Sequence, residues 1–322
     1  MSAVATRPRL GFAGVGWIGR NRLEAIAAGG AAEIAAIADP RGCDVDVPCL
    51  DTFEELLALD LDGLVIATPS ALHADQAIAA LERGLAVFCQ KPLGRDAGET
   101  RAVVAAARAA DRLLGVDLSY RYTDAARRLR EEIRSGSLGQ IYAVELVFHN
   151  AYGPDKPWFY ERRLSGGGCL IDLGVHLADL ALWALDYPPA GVVSARTLSP
   201  RGLEVEEVAF AELEIGGASV RLASSWRLPA GADCLIEASF YGTEGGVALR
   251  NVGGSFCDLR VDRLRGTQRE ELAAGGDRWG GQAALEWSQR LARGERFDPE
   301  AERLVIVAQL LDAIYRAARC AS

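Results

Sequence analysis

A glycine-rich turn set between two apolar runs constrains this chain of 322 residues most. Arg9-Leu10-Gly11-Phe12-Ala13 reads as a buried strand, Gly14-Val15-Gly16-Trp17-Ile18-Gly19 follows it, and residues 17–28 read as a helix. Glu33-Ile34-Ala35-Ala36-Ile37-Ala38 is a second buried run, with Asp39 at its end. A G-x-G-x-x-G turn alone is a weak signal. Between a strand and a helix, with an acid closing the next strand, it is the context a dinucleotide site requires. The glycines permit a tight turn and let backbone N–H groups approach a pyrophosphate, and the helix N-terminus favours negative charge. Gly14, Gly16, Trp17 and Ile18 are therefore candidate cofactor contacts. Asp39 is the candidate acceptor for ribose hydroxyls, and its charge repels a 2′-phosphate. That favours NAD. Arg41, two residues on, could hold a phosphate, so NADP stays possible.

The alternation continues. Leu64-Val65-Ile66-Ala67 is a third apolar run, a helix fits about 71–83, Leu85 to Cys89 is a fourth run, and an Ala-rich helix over about 97–111 leads to Leu113 to Asp117. Continuous apolar strands alternating with helices imply a parallel sheet covered on both faces. After about residue 120 the texture changes. A helix fits 124–135, Ile141 to His149 is a longer strand, and Gly166-Gly167-Gly168 precedes an apolar helix to about Ala184. Between 191 and 262 several strands with turn signals suit a mostly antiparallel sheet, and helices over about 280–293 and 300–318 close the chain. The expected fold is α/β: a doubly wound dinucleotide-binding domain over 1–120, then a substrate-binding and oligomerisation domain over 121–322 with a large open sheet. One face of that sheet lacks helices to cover it, so a homodimer or homotetramer is expected.

Composition narrows the function. With 35 basic and 44 acidic residues the net charge is −9, opposite to a nucleic-acid footprint. No apolar run appears long enough to span a membrane, and the N-terminus shows no apolar signal core, so a cytoplasmic location is expected. Seven scattered cysteines, none in a C-x-x-C pair, read as reduced small hydrophobes, with neither a zinc site nor a disulfide framework.

Five places carry candidate chemistry. Gln90-Lys91-Pro92 follows the fourth strand, outside whose carboxyl end a ligand binds in a doubly wound sheet. An ammonium there can hold a substrate oxygen and stabilise alkoxide charge. Asp172 and His176 are spaced i,i+4, with Asp179 and Trp183 continuing the same helical stripe. An acid beside an imidazole orients it for proton transfer. Metal binding by this set is not expected. His73, after the third strand, suits a structural or cofactor-contacting role. His149, ending a strand, is either a substrate contact or a buried, hydrogen-bonded histidine. Trp158, Phe159 and Tyr160, with Arg162 and Arg163, could form a substrate wall, because aromatic faces suit sugar rings, or could pack an internal surface.

Taken together these residues resemble the glucose–fructose oxidoreductase, inositol dehydrogenase and rhizopine catabolism (Gfo/Idh/MocA) family. The match runs through the glycine turn, Thr68-Pro69-Ser70-x-x-His73, Lys91-Pro92, Tyr120-Arg121-Tyr122, Ser135-Gly136-x-Leu138-Gly139, and Gly167-Gly168-x-Leu170-x-Asp172-x-Gly174-x-His176-x-x-Asp179. The resemblance implies a Rossmann domain with a C-terminal α/β domain, and NAD(P)-dependent oxidation of a sugar, cyclitol or related polyol. It implies Lys91, Asp172 and His176 as the catalytic set. Thr68, Pro69, Ser70, His73, Gln90 and Lys91 are implied beside the cofactor, and Tyr120, Arg121, His149 and Trp158 beside the substrate. The chain departs from the family at one position: Gln90 stands where the family carries glutamate. Two other classes are compatible with the motifs, a non-redox sensor of dinucleotide or sugar and a glycoside-cleaving enzyme with tightly held NAD. A sensor has no need of Lys91, Asp172 and His176 together.

Overall fold

A computed structural model describes residues 7–276 and 280–320, the side chains at 275, 276, 319 and 320 excepted. The first six residues of the segment read for export, and the thiol of Cys320, lie outside the described residues. The chain divides into two compact units. Of the described residues, the first unit holds 7–94, 98–119 and 280–305, and the second 95–97, 120–276 and 306–320.

The first unit is built on β1 (Arg9–Ala13), α1 (Trp17–Gly29), β2 (Glu33–Ala38), β3 (Cys49–Leu50), α2 (Phe53–Leu57), β4 (Gly63–Ile66), α3 (Ser70–Glu82), β5 (Ala86–Cys89), α4 (Ala97–Ala110) and β6 (Leu114–Val116). Its six strands are parallel in the order β3-β2-β1-β4-β5-β6. Every residue of β4 and β5 is buried, as the unbroken apolar runs require of strands covered on both faces. The order reverses between β1 and β4, which opens a crevice at the carboxyl ends of the strands. The sheet and helices are the doubly wound layer expected from the sequence. The two-residue β3 and the short α2 were not expected, being too short to print a period on the sequence.

The second unit contains α5 (Asp124–Arg134), β7 (Ile141–Asn150), α6 (Arg162–Ser165), α7 (Val175–Ala184), seven further strands and all but the first turn of α9 (Arg303–Cys320). The strands are β8 (Ala190–Leu198), β9 (Val208–Ile215), β10 (Ala218–Ser225), β11 (Cys234–Gly242), β12 (Gly246–Asn251), β13 (Asp258–Arg265) and β14 (Gln268–Gly276). They form one sheet with β7, in the order β14-β13-β12-β11-β7-β10-β9-β8. The β7–β10 pair is parallel and the others are antiparallel. Val144, Leu146 and Phe148 of β7 point into the core with Val220 and Leu222 of β10. The opposite face is mixed, not apolar: Phe210 and Leu235 are exposed there, but so are Glu212 and Arg221, and Arg221 pairs with Glu145.

The helix Gln282–Ala292 (α8) returns to the first unit. It buries Ala283, Ala284, Trp287 and Ser288. The Trp287 ring lies 5.7 Å from Phe88 of β5. A Cβ on Gly115 would stand 2.8 Å from the same indole, so glycine in β6 makes room for it. Each such buried aromatic contributes about 1.5–3 kcal/mol relative to exposure.

Two expectations are corrected. Cys43 and Cys49 form a disulfide, their Cα atoms 6.0 Å apart, because the loop after β2 folds back to let β3 pair with it. Their spacing matches no C-x-x-C pattern, so only the fold reveals the pair. Cys89, Cys169 and Cys234 are buried, and burial pushes their thiols above the ordinary pKa, as small hydrophobes require. The helical run Arg162–Ala184 is, contrary to expectation, long and apolar enough by composition to cross a membrane. Most of it is buried inside the second unit, so its apolarity is accounted for by core packing.

Candidate active site

The dinucleotide end is assembled at the carboxyl edge of β1 and β2. Gly14 adopts φ +84°, and a Cβ there would lie 2.7 Å from the carbonyl of Ala67. A Cβ on Gly19 would run into the carbonyl of Gly14. The turn is therefore open only to glycine at both places. The N-cap of α1 is Gly16, which brings no side chain to that end of the helix, where the dipole favours an anion. Asp39 is 4% exposed. Its Oδ2 accepts from Val15 N–H at 3.1 Å, and its Oδ1 from Arg41 N–H at 3.0 Å. Burial raises its pKa, but those two hydrogen bonds and the Arg41 charge outweigh it, and the carboxyl titrates below its ordinary value. A carboxylate has room for further donors. These residues fit an NAD molecule: glycines where a side chain would fill the cradle, a helix N-terminus for phosphate and an ionised acceptor for ribose. Trp17 projects from the first turn of α1 and is largely exposed, while Ile18 is half-buried behind it.

The Thr68-Pro69-Ser70 turn opens α3. Thr68 donates its hydroxyl to Gln76 Oε1 at 2.7 Å, and Pro69 occupies the position before the helix. His73, 1% exposed, spans two loops: Nδ1 lies 2.7 Å from the Pro92 carbonyl and Nε2 2.8 Å from that of Thr68. A doubly protonated ring satisfies both carbonyls and a neutral ring one of them. Burial sets against the charge and holds the His73 pKa below its ordinary value. His73 thus clamps the segment that carries Lys91, which is half-buried just beyond β5 and precedes a cis peptide to Pro92. Gln90 donates Nε2–H to Asp117 Oδ2 at 2.5 Å.

In the second unit the glycine run is fixed by Glu206. Its Oε1 accepts from Gly168 N–H at 2.8 Å, Leu170 N–H at 3.1 Å and Tyr315 Oη at 2.8 Å. Any side chain on Gly168 would collide with the Glu206 backbone. From there the chain enters a π turn, Leu170–Gly174, before α7 begins at Val175. The uninterrupted α-helix expected over this run is therefore replaced by a wider first turn, and π turns are frequent at functional sites. Asp172 Oδ2 accepts from Trp226 Nε1 at 3.0 Å. His176 is 8% exposed, with the Tyr120 ring edge-on at 5.0 Å and Phe148 at 6.3 Å.

The rest of the expected acid–imidazole stripe is divided among separate partners. Asp179 takes the guanidinium of Arg121, with Nε to Oδ2 at 2.5 Å and Arg121 also donating to Tyr187 Oη. Burial alone would lower the Arg121 pKa, but the Asp179 charge overrides it and holds the guanidinium ionised. Trp183 lies under Arg130 at 4.5 Å. His149 Nδ1 meets Ser225 Oγ at 2.8 Å, and burial lowers its pKa. Trp158 stacks on Phe159 at 3.8 Å. Tyr120 is buried, within 3.3 Å of the Phe256 carbonyl. No cluster of three metal-ligating side chains occurs among the described residues. Asp117, Arg22, Glu206 and Trp226 escaped the sequence reading. The signal for the first two was a charge placed where the period calls for an apolar residue: Arg22 on the buried face of α1, and Asp117 just after an apolar strand.

Residues 9–118 match the family model described as an oxidoreductase family with an NAD-binding Rossmann fold, and residues 126–248 match that of the GFO/IDH/MocA C-terminal domain. The rhizopine catabolism protein MocA of Rhizobium meliloti is 31% identical over 251 residues, 74% of this chain and 77% of that protein. Inositol 2-dehydrogenase of Rhizobium meliloti strain 1021 is 28% identical over 259 residues, 76% of each chain. Among solved structures, GenD2 from gentamicin A biosynthesis, in complex with NAD, superposes with a TM-score of 0.81 at 25% identity, covering 100% of this chain and 97% of that one.

Proposed function

The chain belongs to the Gfo/Idh/MocA family of NAD-binding oxidoreductases, and from that premise we propose that it oxidises a secondary alcohol of a sugar, cyclitol or related polyol, or reduces the corresponding ketone. The observation that carries this reading is the placement of Lys91. It stands at the carboxyl end of β5, next to β4 and the crevice where the strand order reverses; the carbonyl of Pro92 after it meets His73, and the side chain of Gln90 before it donates to Asp117. When bound, NAD supplies the hydride acceptor. The chain supplies the rest. The Lys91 ammonium donates to the substrate oxygen and steadies the negative charge that grows there. His176 takes the hydroxyl proton on a ring nitrogen, and returns it in the reductive direction. Asp172, with one oxygen already anchored by Trp226, orients His176 or a neighbouring substrate hydroxyl. Trp158, partly exposed, offers an apolar ring face to the substrate, and Tyr120, buried edge-on against His176, backs the imidazole from below.

Asp39 makes NAD the preferred cofactor in this reading. Fluorescence titration is expected to give at least a tenfold tighter Kd for NADH than for NADPH, about 1.4 kcal/mol, and Asp39→Ser is expected to narrow the gap. Because the Asp39 carboxyl titrates below its usual range, its charge persists as pH falls. NADH affinity should stay level from about pH 8 to about pH 5, above the ordinary carboxylate value. Tighter NADPH binding would transfer the adenosine end to Arg41.

The reading includes self-association through the open face of the eight-stranded sheet. Light scattering at micromolar concentration is expected to give a dimer or a dimer of dimers. A species of 34.4 kDa, the mass of one chain, would contradict it.

A further inference from the structure

Three buried side chains of the first unit converge beneath the segment that carries Lys91. Asp117, just beyond β6, is 1% exposed, and its Oδ2 accepts from Arg22 Nε and from Gln90 Nε2, each at 2.5 Å. Arg22, on the inner face of α1, is 2% exposed, and Gln90 is buried directly before Lys91. One carboxylate oxygen thus joins α1, the end of β5 and the end of β6. A buried carboxylate requires a compensating cation and further donors. Arg22 supplies the charge and Gln90 a neutral donor.

The identity of residue 90 follows from this. Here a glutamate would press a second carboxylate against Asp117, with the Arg22 guanidinium in contact, and two carboxylates that close do not both ionise. A carboxamide beside Asp117 avoids the conflict and adds a charge-assisted hydrogen bond.

We propose that Asp117, paired with Arg22, is the positioning residue for Lys91. It anchors the Gln90 carboxamide and so fixes the backbone from which the ammonium projects. The anchor acts on the residue before Lys91, while His73 holds the carbonyl of the residue after it. The proposal rests on reading Lys91 as the cation at the reacting oxygen.

Lys91 and Lys156 are the two lysines of the chain, which makes the placement measurable without a substrate. Limited acylation with acetic anhydride, followed by peptide mass measurement, gives the ratio of Lys91 to Lys156 modification, with Lys156 of the second unit as internal reference. Gln90→Glu and Asp117→Asn are each expected to change this ratio more than about threefold, as contacting residues that couple do. The double variant Gln90→Glu/Asp117→Asn restores one carboxylate and one carboxamide to the contact, and is expected to return the ratio to within about twofold of the parent. If Asp117→Asn does not fold, Gln90→Glu and the transposed double carry the test between them. Ratios that stay within twofold while melting temperature falls would reduce Asp117 to a structural role and overturn the proposal, as would a double variant no closer to the parent than the singles. The turnover of Lys91→Ala tests the underlying functional reading separately, since the acylation ratio does not depend on what Lys91 catalyses.

Discussion

Lys91→Ala is expected to lower single-turnover hydride transfer by about 10²–10³-fold, the usual cost of removing one donor to a developing oxyanion. His176→Ala is expected to lose about 10²–10⁴-fold, the usual contribution of a positioned general base. The two defects should respond differently to their surroundings. Added imidazole or high pH gives His176→Ala a substitute proton acceptor and should restore part of its rate. Neither replaces a missing positive charge, so Lys91→Ala should not recover. Asp172→Asn keeps the shape beside Trp226 but removes the charge that favours the imidazolium, so its pH–rate profile should move to lower pH. All three variants should still bind NADH, because the glycine turn and Asp39 are untouched. Near-normal turnover by both Lys91→Ala and His176→Ala on a genuine substrate would dismiss the site assignment.

The second large effect is on stability. Asp179 is 2% exposed, and its carboxylate lies against the Arg121 guanidinium. Asp179→Ala leaves that half-buried guanidinium without its counter-charge, and breaking a buried pair in this way costs up to about 3–5 kcal/mol. Urea unfolding should show the loss as a lower midpoint with an unchanged slope. Replacing both partners, as Arg121→Met/Asp179→Leu, should recover most of it, because an apolar pair does not have to be desolvated as ions. A loss below about 1 kcal/mol for Asp179→Ala is what an exposed pair would give, and would contradict the burial on which the argument rests.

The sequence makes legible whatever leaves a local pattern. The glycine turn is visible because two of its glycines are imposed by backbone approach, at Ala67 for Gly14 and at Gly14 for Gly19. Asp39 is visible because it closes an apolar strand. The strands β4 and β5 are visible because burial on both faces leaves no alternation. What stays hidden depends on partners far along the chain. Arg22 and Asp117 are 95 residues apart, and Arg121 and Asp179 are 58 apart. Neither pair has a spacing that announces it. Arg121 is expected beside the substrate, and only the fold shows it paired with Asp179. The return of α8 to the first unit is hidden for the same reason, since the indole of Trp287 is recognised only by the space that Gly63 and Gly115 leave for it. The π turn at Leu170–Gly174 is a third case: nothing in its five residues distinguishes a π turn from an α turn, and the pinning of Gly168 by Glu206 lies outside the segment.

The departure at Gln90 lies between these two kinds. The substitution is visible in the sequence, whereas its compensation is not. Removing a charge at residue 90 looks like a loss until Asp117 and Arg22 are placed beneath it.

Direct transfer of hydrogen tests the central claim most closely. The protein would be incubated with NAD and with myo-inositol or an aldose carrying deuterium on each ring carbon in turn, and the nicotinamide then read by mass spectrometry. Deuterium is expected at C4 of the nicotinamide from one labelled carbon of one substrate class, with the matching ketone formed in equal amount. Recovery of unlabelled nicotinamide from every sugar and cyclitol offered, with NAD demonstrably bound, would contradict it.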